Sequence, residues 1–221
     1  NFYDFPSKKL KIVGVTGTNG KTTIATLLYN LFNLASIPSG LISTVVYYAG
    51  DKAIKSTHTT PNALKLNYLF AEMVKEGCTY CFMEVSSHAI DQGRIDGIEF
   101  DGAIFTNLTH DHLDYHKTFK HYLDTKKKFF DNLDSSAFAL TNIDDKNGMV
   151  IIQNTNARKF TFSCTKSADF KSKPIEIHVD GTHIQLDNVE LWTQFTGKFN
   201  VSNLTAVYAA SILCGLEKEK V

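Results

Sequence analysis

Gly17, Gly20, Lys21 and Thr22 form a G-x-x-G-K-T core within the stretch KIVGVTGTNGKTT, Lys11 to Thr23. That spacing suits phosphate chemistry. Glycines let the backbone curl with its N–H groups facing inward, where they cradle phosphate oxygens at a helix start. Thr18, Asn19 and Thr23 complete the loop. Lys21 would reach the terminal phosphates, and the Thr22 hydroxyl would hold Mg²⁺. The general pattern has a glycine five residues before Gly20, a position that Val15 takes here, so the loop is a variant. An ordinary glycine turn is the plainer alternative, and the intact core favours a nucleotide site.

Other polar clusters follow apolar runs. In MEVSSHAIDQGR, Met83 to Arg94, Glu84 would end a strand where a carboxylate can ligate nucleotide-bound Mg²⁺. Ser86, His88, Gln92 and Arg94 would line a polar turn, with Arg94 free to pair with an anionic substrate. A helix start capped by Ser86 or Ser87 is an equal alternative. In TNLTHDHLDYH, Thr106 to His116, three histidines and two aspartates fall within seven residues. They could bind a metal or relay protons, or form a solvated capping loop. Lys126, Lys127 and Lys128 read, on residue types alone, as a solvated helix face. THTTP (Thr57–Pro61) could present hydroxyls at a helix start. GKFNVSN (Gly197–Asn203) could offer the Asn200 and Asn203 amides to an adenine ring or cap the last helix.

The elements that must position these groups alternate. Strands are expected at Ile12–Val15, Leu41–Tyr48, Tyr80–Val85, Ala103–Asn107 and Phe138–Thr141. Helices are expected at Thr22–Ala35, with Leu27, Leu28, Leu31 and Leu34 on one face, from Pro61 to about Lys75 with Thr60 as its cap, and at Phe119–Phe130. This alternation predicts an α/β fold with a mostly parallel P-loop-type sheet flanked by helices. Beyond Asn147 the short runs Lys159–Ser163, Ile175–Val179 and His183–Leu186 predict a smaller antiparallel β-rich appendage. A last helix follows GKFN. Residues 1–10 read as a linker and 11–221 as one domain. In open α/β sheets ligands lie beyond the carboxyl ends of the strands, where the clusters fall.

The composition sets limits. Of 221 residues 43% are hydrophobic and 21% charged, as in an ordinary globular protein. Zero formal net charge gives no footing for a nucleic-acid or anionic-membrane partner. No apolar run is long enough to span a bilayer. Four cysteines are too few and too scattered for a disulfide scaffold; Cys78 and Cys81 form a C-x-x-C but read as core thiols, which points to a reducing, cytoplasmic setting.

Taken together, the variant loop GTNGKTT, THTTP, EVSSHAIDQGR and NLTHDHLDYHKTFKHYLDTK, in this order, resemble the central ATP-binding domain of the Mur ligase family. They are most similar to the branch that adds the third residue of the peptidoglycan peptide, and the resemblance runs from Lys11 to the C-terminus. It implies that the Gly17–Thr23 loop binds ATP, and that Lys21, Glu84, His112 and Lys126 are catalytic. It implies that Thr22, Glu84, His112 and a carbamylated Lys126 serve the metal. Thr59, Thr60, Ser86, Gln92 and Arg94 match positions that contact the UDP-linked substrate, and Asn200 and Asn203 match the adenine side. His58 stands where relatives often carry Asn.

The implied reaction is ADP-forming amide ligation with ATP and Mg²⁺. A carboxylate of UDP-N-acetylmuramoyl-L-alanyl-D-glutamate attacks the γ-phosphate, and the amine of a diamino acid then displaces phosphate from the acyl phosphate. The family's N-terminal UDP-binding and C-terminal amino-acid-binding domains do not fit in this chain, so the isolated domain is expected to be inactive and monomeric. The resemblance assigns selection between meso-diaminopimelate and lysine to the C-terminal part. A folylpolyglutamate synthase-like ligase shares the fold, but SSHAIDQGR and DHLDYH count against it. A non-catalytic nucleotide-binding module would not need Glu84, His112 and Lys126 together. A metal-binding interaction domain would leave the phosphate loop unexplained.

Overall fold

The protein's structure, a computed structural model, describes residues 3–109 and 113–218. After a short 3₁₀ turn at Pro6–Lys9, the chain enters β1 (Lys11–Thr16) and turns through the glycine loop into α1 (Lys21–Leu34). Strands β2 (Ser39–Ile42), β3 (Val46–Ala49) and β4 (Lys52–Lys55) lead to α2 (Ala63–Lys75). Then come β5 (Tyr80–Glu84), α3 (Ser87–Asp91), β6 (Gly102–Phe105), α4 (Leu113–His116) and α5 (Phe119–Asp131). The last third holds β7 (Phe138–Asn142), α6 (Gly148–Ile151), β8 (Arg158–Ser163), β9 (Phe170–Ile177), β10 (Thr182–Leu186), β11 (Val189–Thr193) and α7 (Lys198–Leu213).

Among the described residues the strands form one 11-stranded sheet in the order β11-β10-β9-β8-β7-β6-β1-β5-β2-β3-β4. Its centre is parallel, with β1 between β5 and β6 and β7 and β8 continuing outward. Side chains of a strand alternate between faces, so a sheet covered on both sides needs apolar residues at every position. The central strands meet that requirement along their middles, with polar residues such as Thr16, Glu84 and Thr141 at or near their carboxyl ends. Ile12, Cys81, Met83, Ala103, Phe105 and Ala139 join the core under α2 and α5, which also contains Phe70, Met73 and Phe130. Val13, Val15, Phe82, Ile104, Phe138 and Leu140 join the opposite core under α1 and α7, with Leu28, Phe32 and Ala206. Cys78 and Cys81 are buried free thiols, as expected of core residues.

The α/β architecture agrees with the sequence reading; several local features differ. Leu41–Tyr48 is two antiparallel strands, because Ser43 closes a tight turn, its hydroxyl donating to the Val46 carbonyl and accepting from the Val46 amide. Helix α2 is capped by Asn62, whose side chain accepts from the Lys65 amide, while Thr60 is buried and bonded elsewhere. The buried face of α1 is Ile24, Ala25, Leu28, Tyr29 and Phe32, and Leu34 is 84% exposed. Strand β8 belongs to the parallel sheet. The C-terminal antiparallel part is β9–β10–β11, whose last strand, Val189–Thr193, is absent from the sequence expectation, and the opposite edge, β2–β3–β4, is antiparallel as well. No helix among the described residues is long and apolar enough to cross a membrane.

Candidate active site

The parallel strands β1, β5 and β6 deliver their carboxyl ends to one place. Beyond β1 the loop Gly17–Gly20 enters α1. Gly17 and Gly20 have φ of 147° and 89°, and a Cβ on either would collide with Thr106 Oγ1 or Asn203 Oδ1, respectively. Glycine is required at position 17 by both dihedral and space, and at position 20 chiefly by its left-handed φ. Neighbouring strand ends stitch the loop in place. The Thr18 amide donates to the Asn107 carbonyl at 2.8 Å, the Asn19 amide to Asn107 Oδ1 at 3.0 Å, and Thr106 Oγ1 to the Asn19 carbonyl at 2.6 Å. Lys21 folds back over it, Nζ donating to the carbonyls of Gly17 and Thr18 at 3.0 and 2.7 Å.

Glu84 ends β5 with only 1% of its surface exposed. Its Oε1 accepts from Thr22 Oγ1 at 2.8 Å and from the Thr44 amide at 2.7 Å. Two hard oxygen donors therefore stand side by side at the loop, a set that fits Mg²⁺. Among the described residues no three His, Cys, Asp or Glu side chains cluster to hold a metal by themselves.

A cavity of about 430 Å³ joins Gly17, Lys21, Thr22 and Glu84 to Thr59, Thr60, Ser86, Arg94 and Lys126. Its charged lining is three cations, Lys21, Arg94 and Lys126, against one carboxylate, Glu84. Such a concavity attracts polyanions. Thr60 is fully buried; its hydroxyl donates to the Glu84 carbonyl at 2.8 Å and accepts from the Ser86 amide at 3.0 Å. Ser86 caps α3 by accepting from the Ala89 amide, so its capping and cavity positions coincide. Arg94 is braced on both sides, Nη1 donating to the Thr60 carbonyl at 2.8 Å and Nε and Nη2 to Gln92 Oε1 at 2.9 and 2.6 Å. Gln92 does not line the cavity and acts on it through Arg94.

Lys126 corrects the residue-type expectation of a solvated triplet. It is 1% exposed, and its Nζ donates to the Gly17 carbonyl at 3.0 Å and Thr16 Oγ1 at 3.3 Å and lies 4.8 Å from the Tyr122 ring centre. Burying an ammonium costs several kcal/mol unless partners compensate. Its neighbours keep surface roles, Lys127 pairing with Asp131 and Lys128 exposed. His112, with His110 and Asp111, lies outside the described residues. His116 is 2% exposed, and burial, then His121 and His88, push its imidazole down to about 4.

On the far side of the glycine loop a second cavity, about 490 Å³, is lined by Asn19, Gly20, Thr23, Asn142, Phe199 and Asn203, among others. Asn203 thus meets the loop directly, whereas Asn200 stands behind it, accepting from Asn203 Nδ2 at 3.4 Å and donating to the Thr196 carbonyl. The loop separates a polar, cationic cavity from one lined by the amide side chains of Asn19, Asn142 and Asn203. Thr44, Tyr122 and Asn107 escaped the sequence reading. Thr44 holds Glu84 through its backbone, which leaves no side-chain signal. Tyr122 and Lys126 are four residues apart on α5, a helical spacing that puts both on the buried face.

Comparison with known proteins follows the same lines. A family model described as the Mur ligase middle domain matches residues 15–211. UDP-N-acetylmuramoyl-L-alanyl-D-glutamate–2,6-diaminopimelate ligases of Cytophaga hutchinsonii and Bacteroides fragilis are each 56% identical, covering 100% of this chain and 46% and 45% of those proteins. The chain spans about half the length of the curated relatives it matches. A solved structure of a ligase of that name superposes with a TM-score of 0.84 at 29% identity, over 96% of this chain and 45% of that one. A crystal structure of MurF from Acinetobacter baumannii shares the fold, with a TM-score of 0.79 at 21% identity over 99% of this chain and 46% of that one.

Proposed function

The chain belongs to the Mur ligase family, as its middle domain, and from that premise we propose that the full-length protein is an ADP-forming amide ligase. It joins diaminopimelate to UDP-N-acetylmuramoyl-L-alanyl-D-glutamate at the expense of ATP, in building the peptidoglycan precursor. The observation that carries this reading is the single cavity in which Lys21, Thr22 and Glu84 meet Arg94, Ser86 and Lys126. A phosphate donor and a carboxylate acceptor can be held there face to face.

Each group has a definite task. The loop amides and Lys21 hold the ATP phosphates, and Lys21 neutralises charge as the γ-phosphoryl group moves. Thr22, Glu84 and His112 would hold Mg²⁺, which when bound supplies further charge neutralisation. Lys126, carbamylated, would turn a buried cation into an oxygen ligand beside it. Arg94, fixed by Gln92 and Thr60, orients the anionic substrate, with Thr59 and Ser86 beside it. Asn203, backed by Asn200, reads the adenine edge in the second cavity. The rate gain comes from positioning and electrostatics, not from a covalent protein intermediate. The reading carries with it a cytoplasmic monomer with no nucleic-acid or membrane partner, for which zero formal net charge gives no footing.

The test is phosphate release by the full-length protein with ATP, Mg²⁺ and UDP-N-acetylmuramoyl-L-alanyl-D-glutamate. Release is expected with meso-diaminopimelate and not with L-lysine. Release only with lysine would change the amino acid; release only with folate and glutamate would move the protein to folate chemistry. ATP binding without release in any mixture would leave a nucleotide-binding module.

A further inference from the structure

His116 belongs to the histidine-rich segment, yet the roles assigned above leave it without one. It is buried between three elements. Its Nε2 lies 2.8 Å from Ser87 Oγ, and Ser87 lines the same cavity as Lys21 and Arg94. Its Nδ1 lies 3.3 Å from His121 Nδ1, and His121 Nε2 is 4.0 Å from Asp91 Oδ1. Its ring stacks on Tyr122, centres 5.0 Å apart at 28°, and Tyr122 carries Lys126 over its face. Asp91 also accepts from the Tyr115 hydroxyl at 2.8 Å, and that hydroxyl lies 3.3 Å from Gln92 Nε2, the brace of Arg94.

The carboxylate at the outer end sets the direction of this chain. At 4.0 Å Asp91 is too far from His121 Nε2 for a hydrogen bond, but its negative charge favours the proton of a singly protonated His121 ring on that nearer nitrogen. With one proton per ring, His121 Nδ1 then accepts from His116 Nδ1–H. His116 Nε2 is left as an acceptor, and its hydrogen-bond partner among the described residues is the Ser87 hydroxyl. Ser87, having given its proton to that bond, faces the cavity as an acceptor.

We propose that His116 is a positioning residue that accepts the Ser87 hydrogen bond, so that Ser87 presents oxygen lone pairs to an N–H donor of the bound substrates. This rests on the function proposed above and deepens it. The donor is an amide N–H of the muramoyl dipeptide or the amine of the incoming diamino acid. The depressed His116 imidazole is consistent with a ring that stays neutral in this role.

Three variants of the full-length protein test it. Ser87→Ala removes the hydroxyl. His116→Phe keeps a ring against Tyr122 and removes both nitrogens. His116→Gln restores an acceptor. Ser87→Ala and His116→Phe are each expected to raise the KM of one N–H-bearing substrate about tenfold, the loss of one buried hydrogen bond, with the KM of ATP within about twofold. A rise for the muramoyl dipeptide identifies its amide, and a rise for the diamino acid identifies its amine. His116→Gln is expected to recover most of the loss, and the Ser87→Ala/His116→Phe double variant to be no worse than Ser87→Ala alone. An equal rise for ATP, additive effects or unchanged KM values would overturn the proposal. A second readout stands apart from turnover. Nitrogen shifts of ¹⁵N-histidine-labelled full-length protein should show His116 protonated at Nδ1, with its Nε2 signal moved by Ser87→Ala. An Nε2-protonated ring, or no response to Ser87→Ala, would overturn it even in a protein that proves not to be this ligase. A wild-type protein silent in phosphate release but with the expected shifts would instead fail only the functional reading.

Discussion

The two walls of the cavity are built by different means. The phosphate wall, Gly17 to Thr22, is held by backbone: two glycines at positive φ and loop amides and carbonyls tied to Thr106 and Asn107. The substrate wall, Ser86 to Arg94, is held by side chains, Arg94 bonding Gln92 within the wall and the Thr60 carbonyl across the fold, and Ser87 reaching His116. The phosphate wall tolerates little substitution because at its positive-φ glycines any other residue is strained. A side-chain wall can be loosened one hydrogen bond at a time. Damage to the first should abolish turnover; damage to the second should weaken one substrate.

The largest effect is expected at Lys21. Lys21→Ala should lower phosphate release by the full-length enzyme by about 10³-fold, as for loss of a principal charge stabiliser; turnover within tenfold of wild type would reject the loop assignment. Lys126→Ala should cost about 10²-fold, with partial recovery on adding short carboxylic acids that replace a carbamate oxygen. Undiminished activity would remove Lys126 from the metal site. Gly20→Ala should destabilise by about 1–3 kcal/mol and weaken ATP, because it forces a left-handed backbone and pushes against Asn203. A normal unfolding midpoint would show that the wall is softer than its geometry implies. Arg94→Ala, on the side-chain wall, should raise the KM of the muramoyl dipeptide about tenfold or more while sparing ATP. An equal effect on both would erase the distinction between the walls.

A further effect, on stability and not on turnover, concerns acid. Because the folded His116 imidazole is held at about 4 against an ordinary 6.5, the folded state binds fewer protons than the unfolded one between those values. The stability tied to its neutral form is present above about pH 6.5 and is lost as pH falls toward 4. Unfolding midpoints should drop over that window, and less steeply in His116→Gln. Parallel profiles would indicate that His116 is not the group responsible.

The same contrast explains what was legible in the sequence. Glycine spacing and the adjoining Lys21 and Thr22 state a local geometry, so the loop could be read directly. Alternating apolar runs likewise placed the parallel strands. The break at Ser43 was hidden because a hydroxyl-closed turn looks like continued β-sequence. Residue type alone misread Lys126, whose burial follows from sharing a helical face with Tyr122, Phe129 and Phe130. The Ser87–His116 bond joins residues 29 apart in the chain, and no local pattern encodes such a pair.

The most direct measurement follows oxygen. UDP-N-acetylmuramoyl-L-alanyl-D-glutamate, labelled with ¹⁸O in its reacting carboxylate, would be turned over by the full-length protein with ATP, Mg²⁺ and meso-diaminopimelate. Attack of that carboxylate on the γ-phosphate, followed by displacement by the amine, leaves one carboxylate oxygen on the departing phosphate. Released phosphate carrying one ¹⁸O is the predicted result. Phosphate without label would mean that water, not the substrate carboxylate, receives the phosphoryl group, and would contradict the ligase assignment.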